Sequence, residues 1–412
     1  MRRLNYHIAD LHFMKLGPTP KKYTHGGHHA VDPETTLKRI EQLAKVAGIT
    51  RTADITDLDR IGIPVFSSIR PSAESGAISV YNGKGLTKDE AKVSSIMEGI
   101  ERYCAEQGGM QVVRAGVEEF TATNNAVHPM DLILPQGSAY NLSRYQVGWV
   151  KGVELNSMSE MWVPASAVFH PYSSKLDMML FRTSTNGLAS GNTLEEAILH
   201  GLLEVVERDS WSFTEYYRKV NGDIEIPSSG PVKELIDKFT SKGIEVHLKD
   251  LTSDIGIPTI AAASDDVEMQ DPALLTLGIG THLDPELAAV KALMEVAQSR
   301  LTQIHGARED TVRGEAARKL GYERMRRINK MWFEDSEKSI TLDTFPDQVT
   351  DDIFDDLQVT RARLNAKGLN RTIIVDLTRE EIGMPVVKVI VPGMEVFAID
   401  DERIGLRMMS GR

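Results

Sequence analysis

The sequence predicts a single large α+β domain in which one helix-and-strand unit is used more than once. Three observations carry that expectation. A stretch near the middle recurs upstream and, more weakly, downstream. Short apolar runs of strand length alternate with helical patterns along the 412 residues. No low-complexity linker separates one part of the chain from another. Residues 1–24 read as a lead-in and 25–412 as the domain.

The lead-in region is irregular, with Gly26 and Gly27 among histidines and prolines. Asp32 followed by Pro33 predicts a helix that runs through "ETTLKRIEQLAKVAG" to a glycine stop. "IPVFSSIRP" and "GAISVYNGKG" read as strands ending in turns, and "GWVKGVEL" and "MWVPASAV" as short strands further on. "GIEVHLKDL", "PTIAAAS", "RTIIVDL" and "PVVKVIVPG" read as strands too, and a helix-then-strand order between 220 and 260 predicts α/β packing. The segment "REDTVRGEAARKLGYERMRRINK", 308–330, reads as a solvated charged helix with internal ion pairs; a docking surface for an acidic partner is the other reading.

Bulk composition narrows the function. Lys and Arg number 47 against 59 acids, a net charge of −12, which argues against broad nucleic-acid binding. No apolar run reaches the roughly 18 residues of a membrane-spanning helix, and "MRRLNYHIADLHFMKLGP" does not read as a signal peptide. A single cysteine, Cys104, excludes an internal disulfide and a cysteine metal cage, so a cytoplasmic location is expected.

The recurring stretch is "GNTLEEAILHGLLEVVERDS", 191–210, an almost wholly apolar helix with one flaw. Glu196, His200, Glu204 and Glu207 fall within about 80° of its circumference. Ionised carboxylates in an interior helix must be paired, hydrogen-bonded or metal-bound. Aligned without gaps, "TKDEAKVSSIMEGIER" (87–102) matches "TLEEAILHGLLEVVER" (193–208), with Glu90 on Glu196, Glu98 on Glu204, Glu101 on Glu207 and Arg102 on Arg208. Both copies follow a glycine turn and begin as capping boxes, Thr at the cap and Glu three residues on. A weaker third copy, "DPELAAVKALMEVAQS" (284–299), aligns Glu295 with Glu98 and puts Gln298 in place of the second glutamate.

Acidic or amide pairs spaced i, i+3 share a helix face, and three such faces converging need cations between them. Hard oxygen ligands without cysteine favour magnesium or manganese over zinc. Magnesium bound by few carboxylates shares its shell with phosphates, and glycine turns ahead of helix N-termini favour anions. "YNGKGLT" lacks the Walker A spacing, so a nucleotide phosphate site of another type is indicated. Glu90 and Glu196 also fit a capping role, and Arg102 and Arg208 either neutralise neighbouring acids or clamp phosphate.

These motifs resemble the YcaO superfamily from about residue 25 onward. The resemblance is carried by "GITRTADITDLDRIGIPVFSSIRP", "NGKGLTKDEAKVSSIMEGIER", "NGLASGNTLEEAILHGLLEVVERD", "GIGTHLDPELAAVKALMEVAQSRL" and "PVVKVIVPGME". It implies an α+β fold with repeated helix and sheet units around a nucleotide site, and ATP and magnesium as cofactors. The activity it implies is phosphorylation of an amide-derived oxygen in a peptide backbone. By the same likeness Glu98, Glu101, Glu204 and Glu207 are magnesium ligands, while Asn192, Glu196 and Arg208 contact nucleotide or metal. Ser94 lies on the Glu98 face as a further candidate. Gln298 and Arg300 match the family's third motif, although an ideal helical wheel faces them apart. His29 stands where members usually carry Lys or Arg, which weakens a phosphate contact at neutral pH, and Thr36 where the family can use a small hydroxyl. No catalytic base is named by the likeness.

The ending "IDDERIGLRMMSGR" lacks the proline-rich tail of azoline-forming members. The chain therefore looks like the stand-alone archaeal type that installs a thioamide on a glycine of methyl-coenzyme M reductase, often with a TfuA partner. Cys104 reads as core, so sulfide is expected from outside. Azoline-forming cyclodehydration of Cys, Ser or Thr and a non-catalytic ATP- or peptide-binding scaffold are the alternatives. A di-iron carboxylate oxidase lacks its ExxH pairs here. A homo-oligomer is compatible with the sequence.

Overall fold

The computed structural model describes residues 15–138, 142, 145–308 and 312–411. The first fourteen residues of the expected lead-in, and residues 309–311 of the basic segment, lie outside them. Three sheets organise the rest. The first runs β1 (Arg51–Asp54), β2 (Val65–Ile69), β3 (Val80–Lys84). The second has the order β4 (Val113–Gly116), β5 (Gln146–Glu154), β13 (Ile373–Asp376), β14 (Val386–Ile390), β7 (Leu188–Ser190), with β6 (Ser159–Pro164) paired to β5. The third has the order β11 (Thr276–Thr281), β10 (Thr259–Asp266), β9 (Ile244–Asp250), β8 (Gly222–Ile224), β12 (Ser339–Ile340). Neighbours are antiparallel throughout except β12 beside β8. The helices are α1 (Pro33–Val46), α2 (Lys88–Ala105), α3 (Val117–Thr123), α4 (Leu194–Tyr217), α5 (Pro231–Thr240), α6 (Pro285–His305), α7 (Val312–Leu320), α8 (Tyr322–Ile328), α9 (Lys330–Phe333), α10 (Ile353–Ala366) and α11 (Leu406–Met409). This is the α+β class that the pattern predicts.

Each sheet contributes one copy of the repeat, a strand, a turn and a helix. β3 feeds α2, β7 feeds α4 and β11 feeds α6. In every copy the strand ends just before the cap, at Lys84 ahead of Thr87, Ser190 ahead of Thr193 and Thr281 ahead of Asp284. The glycines of the flanking strands let helix and strand touch. A Cβ at Gly83 would stand 2.0 Å from the Ser95 backbone nitrogen, and one at Gly280 2.2 Å from the Ala288 carbonyl oxygen. The caps form as the sequence predicts: Thr87 and Thr193 each accept the N–H three residues on at 3.2 Å, and Asp284 accepts from Glu286 at 2.9 Å.

The apolar sides of the repeat helices build three cores. Ile96, Met97, Ile100 and Cys104 of α2 share one with Ile40 of α1 and with Val386 and Ile390 of β14. Ile198, Leu202, Val205 and Val206 of α4 share another with Val387 and Val389 of β14 and Leu357 of α10. Ala288, Ala292, Leu293 and Val296 of α6 pack with Ile260 of β10 and Phe239 of α5. Alternation along β14 thus sends Val386, Lys388 and Ile390 to the α2 side and Val387 and Val389 to the α4 side. Each large apolar side chain so buried contributes about 1.5–3 kcal/mol, enough in sum to fix helices whose polar edges carry unneutralised carboxylates.

One expected element needs correction. The basic segment is two helices, α7 and α8, separated at Gly321, whose φ of 84° ends any continuous helix. Its arginines pair outward, Arg318 with Asp271 at 2.9 Å and Arg326 with Asp265 at 2.8 Å, rather than along one helix. "MWVPASAV" likewise is a strand only to Pro164 and then a single 3-10 turn at Ala165–Ala167. Among the described residues no helix is long and apolar enough to cross a membrane.

Candidate active site

The polar edges of α2, α4 and α6 face one another. Glu101 of α2 accepts two hydrogen bonds from Ser190 at the end of β7, from its backbone N–H at 2.9 Å and its hydroxyl at 2.6 Å. Glu204 of α4 accepts from the Gly187 N–H at 3.2 Å. Glu98 accepts from Arg102 one turn on at 3.1 Å, and Arg208 stands 3.5 Å from Glu207. From α6, Glu295 takes the ammonium of Lys84, the last residue of β3. His200 opens to solvent on the same edge of α4.

Electrostatics shows what this group of side chains lacks. Burial, reinforced by Glu98 and Glu204, pushes Glu101 up to about 8 despite the Ser190 bonds. Burial likewise pushes Glu207 up to about 7, with Glu295 and Glu204 adding to it against Arg208 and Lys84. Burial works the same way on Glu295, but Lys84 and Arg208 hold it below the ordinary carboxylate range. Carboxylates driven toward neutrality by burial, and further by neighbouring acids, mark a place short of positive charge, which a divalent cation would supply. Among the described residues no three His, Cys, Asp or Glu side chains form a ready-made metal cage.

A second network lies at the N-terminus of α4. The Glu196 carboxylate accepts the Ala30 N–H at 3.1 Å and the Asn192 amide at 3.2 Å, and meets His29 Nδ1 at 2.9 Å. Thr36 donates to Asn192 Oδ1 at 2.9 Å. Against burial, the His29, Ala30 and Asn192 contacts hold Glu196 below the usual carboxylate range. The capping-box reading of Glu196 therefore needs correction: Thr193 caps its N–H, but the carboxylate turns to the lead-in instead of to Thr193. Glu90 behaves differently. It accepts the Leu86 N–H at 2.7 Å, one residue outside the cap, and also the Tyr23 hydroxyl.

The remaining sequence candidates divide. Ser94 is half-buried on α2, one turn before Glu98. The Gln298 amide donates to the Asn82 carbonyl on β3, on the same side as Glu295. Arg300 points the other way. It is fully buried and bonds Asp59 at 2.8 and 3.2 Å and Asp266 at 3.0 Å. The structure does not bring it to the glutamates, because those two acids from other elements already engage its guanidinium.

Sequence reasoning passed over Lys84, Ser190, Lys291 and Lys388, and placed Glu295 on the third repeat face without naming it a ligand. Lys388 carried a signal: a lone lysine inside "VVKVI", a strand buried at every position. Lys291, whose ammonium burial pushes down, is likewise a single charge in the apolar run "LAAVKALM".

The chain is similar to known proteins over most of its length. The family described as YcaO cyclodehydratase, ATP- and Mg2+-binding, matches residues 82–395. A relative from Methanothermobacter thermautotrophicus is 50% identical over 387 residues, covering 92% of this chain and 98% of its own. A protein from the tfuA 3' region of Rhizobium leguminosarum bv. trifolii is 32% identical over 378 residues, covering 89% and 88%. The structure of YcaO from Methanopyrus kandleri bound with AMPPCP and Mg2+ superposes with a TM-score of 0.79 at 31% identity, over 94% of this chain and 98% of that one. An ATP- and magnesium-dependent class of peptide-modifying enzyme is thereby defined, and the chain belongs to the YcaO family.

Proposed function

We propose that this chain is a thioamide-forming enzyme that acts on a glycine of methyl-coenzyme M reductase, with sulfide from outside and a TfuA protein as partner. Glu98, Glu101, Glu204 and Glu207 would hold magnesium; Asn192, Glu196, Arg208, Gln298 and Ser94 would surround the nucleotide, with Thr36 and His29 behind them. Bound magnesium and ATP supply charge neutralisation and a transferable phosphoryl group. The protein's part is positioning. Arg208 stays charged despite burial because Glu207, Glu204 and Glu295 surround it, so its guanidinium fork is available to phosphate oxygens. His29 and the Ala30 N–H fix the Glu196 carboxylate in one orientation.

The observation that carries the ATP- and magnesium-dependent step is the pair of carboxylates, Glu101 and Glu207, pushed up to about 8 and about 7 on two facing repeat helices. The thioamide assignment draws on the sequence likeness and on the relative from a tfuA region. Azoline formation is the second reading, favoured by the cyclodehydratase description of the family. Mass spectrometry of a glycine-bearing substrate peptide after incubation with ATP, magnesium and sulfide separates them. A gain of about 16 Da is the oxygen-to-sulfur exchange; loss of water would replace this reading by the second.

A further inference from the structure

Around β14, lined from both of its faces, lies a cavity of about 70 Å³ that the ATP-dependent step leaves unexplained. Its wall includes Lys388, Ser166, Asn186, Ser184, Phe181 and Arg403. Lys388 is only 3% exposed, and its one hydrogen bond among the described residues goes to the Ser184 carbonyl at 2.8 Å. An ammonium has three donors, so two remain. The Ser166 hydroxyl, itself 3% exposed, is buried without a hydrogen-bond partner among the described residues, while the orphaned Asn186 Oδ1 is an acceptor that an ammonium or a water, not an anion, would satisfy. Buried without a partner in the same way is Nε of Arg102, whose positive charge, with that of Arg403, bears on Lys388.

No carboxylate is paired with Lys388 among the described residues; Glu204 is the acid that acts on it from further off. Burial pushes its ammonium down to about 7. A buried cation without a partner is costly, and unsatisfied donors beside it add to the cost. An anion placed there relieves both. About 10–15 Å³ of such space holds one water, so the cavity takes a small anion with a few waters around it.

We propose that this cavity is a small-anion site that holds hydrosulfide, with Lys388 and Ser166 as its donors. The assignment rests on the thioamide reading above. Hydrosulfide forms a C–S bond to the amide carbon while the carbonyl electron pair moves to oxygen. That oxygen takes the γ-phosphoryl group of ATP, and ADP leaves. The S–H proton then departs, C=S forms, and the C–O bond breaks to release phosphate carrying that proton. Amide, hydrosulfide and ATP thus give thioamide, ADP and hydrogen phosphate, with atoms and charge in balance. Lys388 neutralises the nucleophile while it waits, and the electrostatic influence of Glu204 on its ammonium links the cavity to the carboxylate edge of α4.

Lys388→Met tests this, since replacing a buried charge by an apolar chain of similar length is tolerated by folding; Ser166→Ala is the gentler partner variant. Two measurements are needed. Crystals of the wild type soaked in bromide should show an anomalous peak within hydrogen-bonding distance of Lys388 Nζ, and Lys388→Met crystals should not. In turnover with excess ATP and peptide, Lys388→Met should raise the KM for sulfide more than about tenfold, Ser166→Ala less, with KM for ATP unchanged in both. An unchanged KM for sulfide in Lys388→Met, in a wild type that does make thioamide, overturns the site alone. A bromide peak that survives Lys388→Met shows an adventitious ion only and overturns it too. A wild type that makes no thioamide removes the parent reading, and the hydrosulfide assignment goes with it.

Discussion

In α2 and α4 the paired glutamates sit beside arginines of their own helix, whereas in α6 Glu295 meets Lys84 from the neighbouring strand and the next position on that face is the amide of Gln298. All three helices use the same strand–turn–cap scaffold. The charge partner is what separates them. Lys84, with Arg208, holds Glu295 below the ordinary carboxylate range, while Glu101 is driven up by burial with Glu98 and Glu204, and Glu207 by burial with Glu295 and Glu204. Two copies of the unit are thereby left dependent on an added cation, and the third is internally neutralised and can act as a wall.

The largest effect should come from breaking the dependent copies. Glu101→Gln or Glu207→Gln should lower ATP turnover by more than about 100-fold, the upper range for loss of a metal site's outer partners, with the fold intact by circular dichroism. Glu295→Gln should cost less than about tenfold; a loss equal to that of Glu207→Gln would erase the distinction between the helices.

Next comes the contrast between Glu196 and Glu90, which occupy the same place in their repeats. Glu196→Gln removes the charge facing His29 and the Ala30 N–H, and ATP turnover should fall about tenfold or more, as for loss of an orienting partner, at nearly unchanged melting temperature. Glu90→Gln keeps a hydrogen-bonding amide for the Leu86 N–H and should stay within a few-fold of wild type. Equal losses in the two variants would contradict the asymmetry.

A smaller, pH-dependent effect follows from Glu101 and Glu207. Their folded-state values lie above the ordinary 4.5, so between 4.5 and about 8 the folded apoprotein holds protons that the unfolded chain has released. Stability contributed by these groups is present at low pH and falls as pH rises through that window. The melting-temperature gain of a Glu101→Gln/Glu207→Gln double variant over wild type should therefore widen from pH 5 to 8 and level off above it, without magnesium. A gain that is flat with pH would mean that the carboxylates are not pressed upward in the apoprotein. The smallest effect on catalysis belongs to Arg300. Arg300→Met leaves buried Asp59 without its guanidinium partner and Asp266 with Arg60 alone, and should destabilise the chain by about 3–5 kcal/mol, while KM for ATP in the surviving folded enzyme stays put.

The repeat was legible because helical period and cap chemistry are local. Thr87, Thr193 and Asp284 announce their helices, and the faces carrying Glu98, Glu101, Glu204, Glu207, Glu295 and Gln298 follow from residue spacing. What stands opposite a face is not local. Lys84 on Glu295, Ser190 on Glu101 and the lead-in on Glu196 belong to other elements, and no periodicity reports them. Arg300 shows the same limit from the other side: its motif grouped it with Gln298, and only Asp59 and Asp266, far apart in sequence, reveal a structural ion-pair cluster. The break at Gly321 was readable as a helix stop and was overridden by the charge pattern on either side.

The fastening of residues 17–36 to the start of α4 has a consequence for the order in which the molecule is made. Gly17 bonds Glu195 across 178 residues, Ala30 bonds Glu196 across 166, and Thr36 bonds Asn192 across 156. Contacts of such sequence separation form late, because the loop they close is entropically expensive until the elements between are in place. A nascent chain on the ribosome exposes its first thirty-six residues long before α4 has emerged. Residues 17–36 wait unfastened through synthesis of β1 to β7, and the network at the N-terminus of α4 closes only when the second repeat folds.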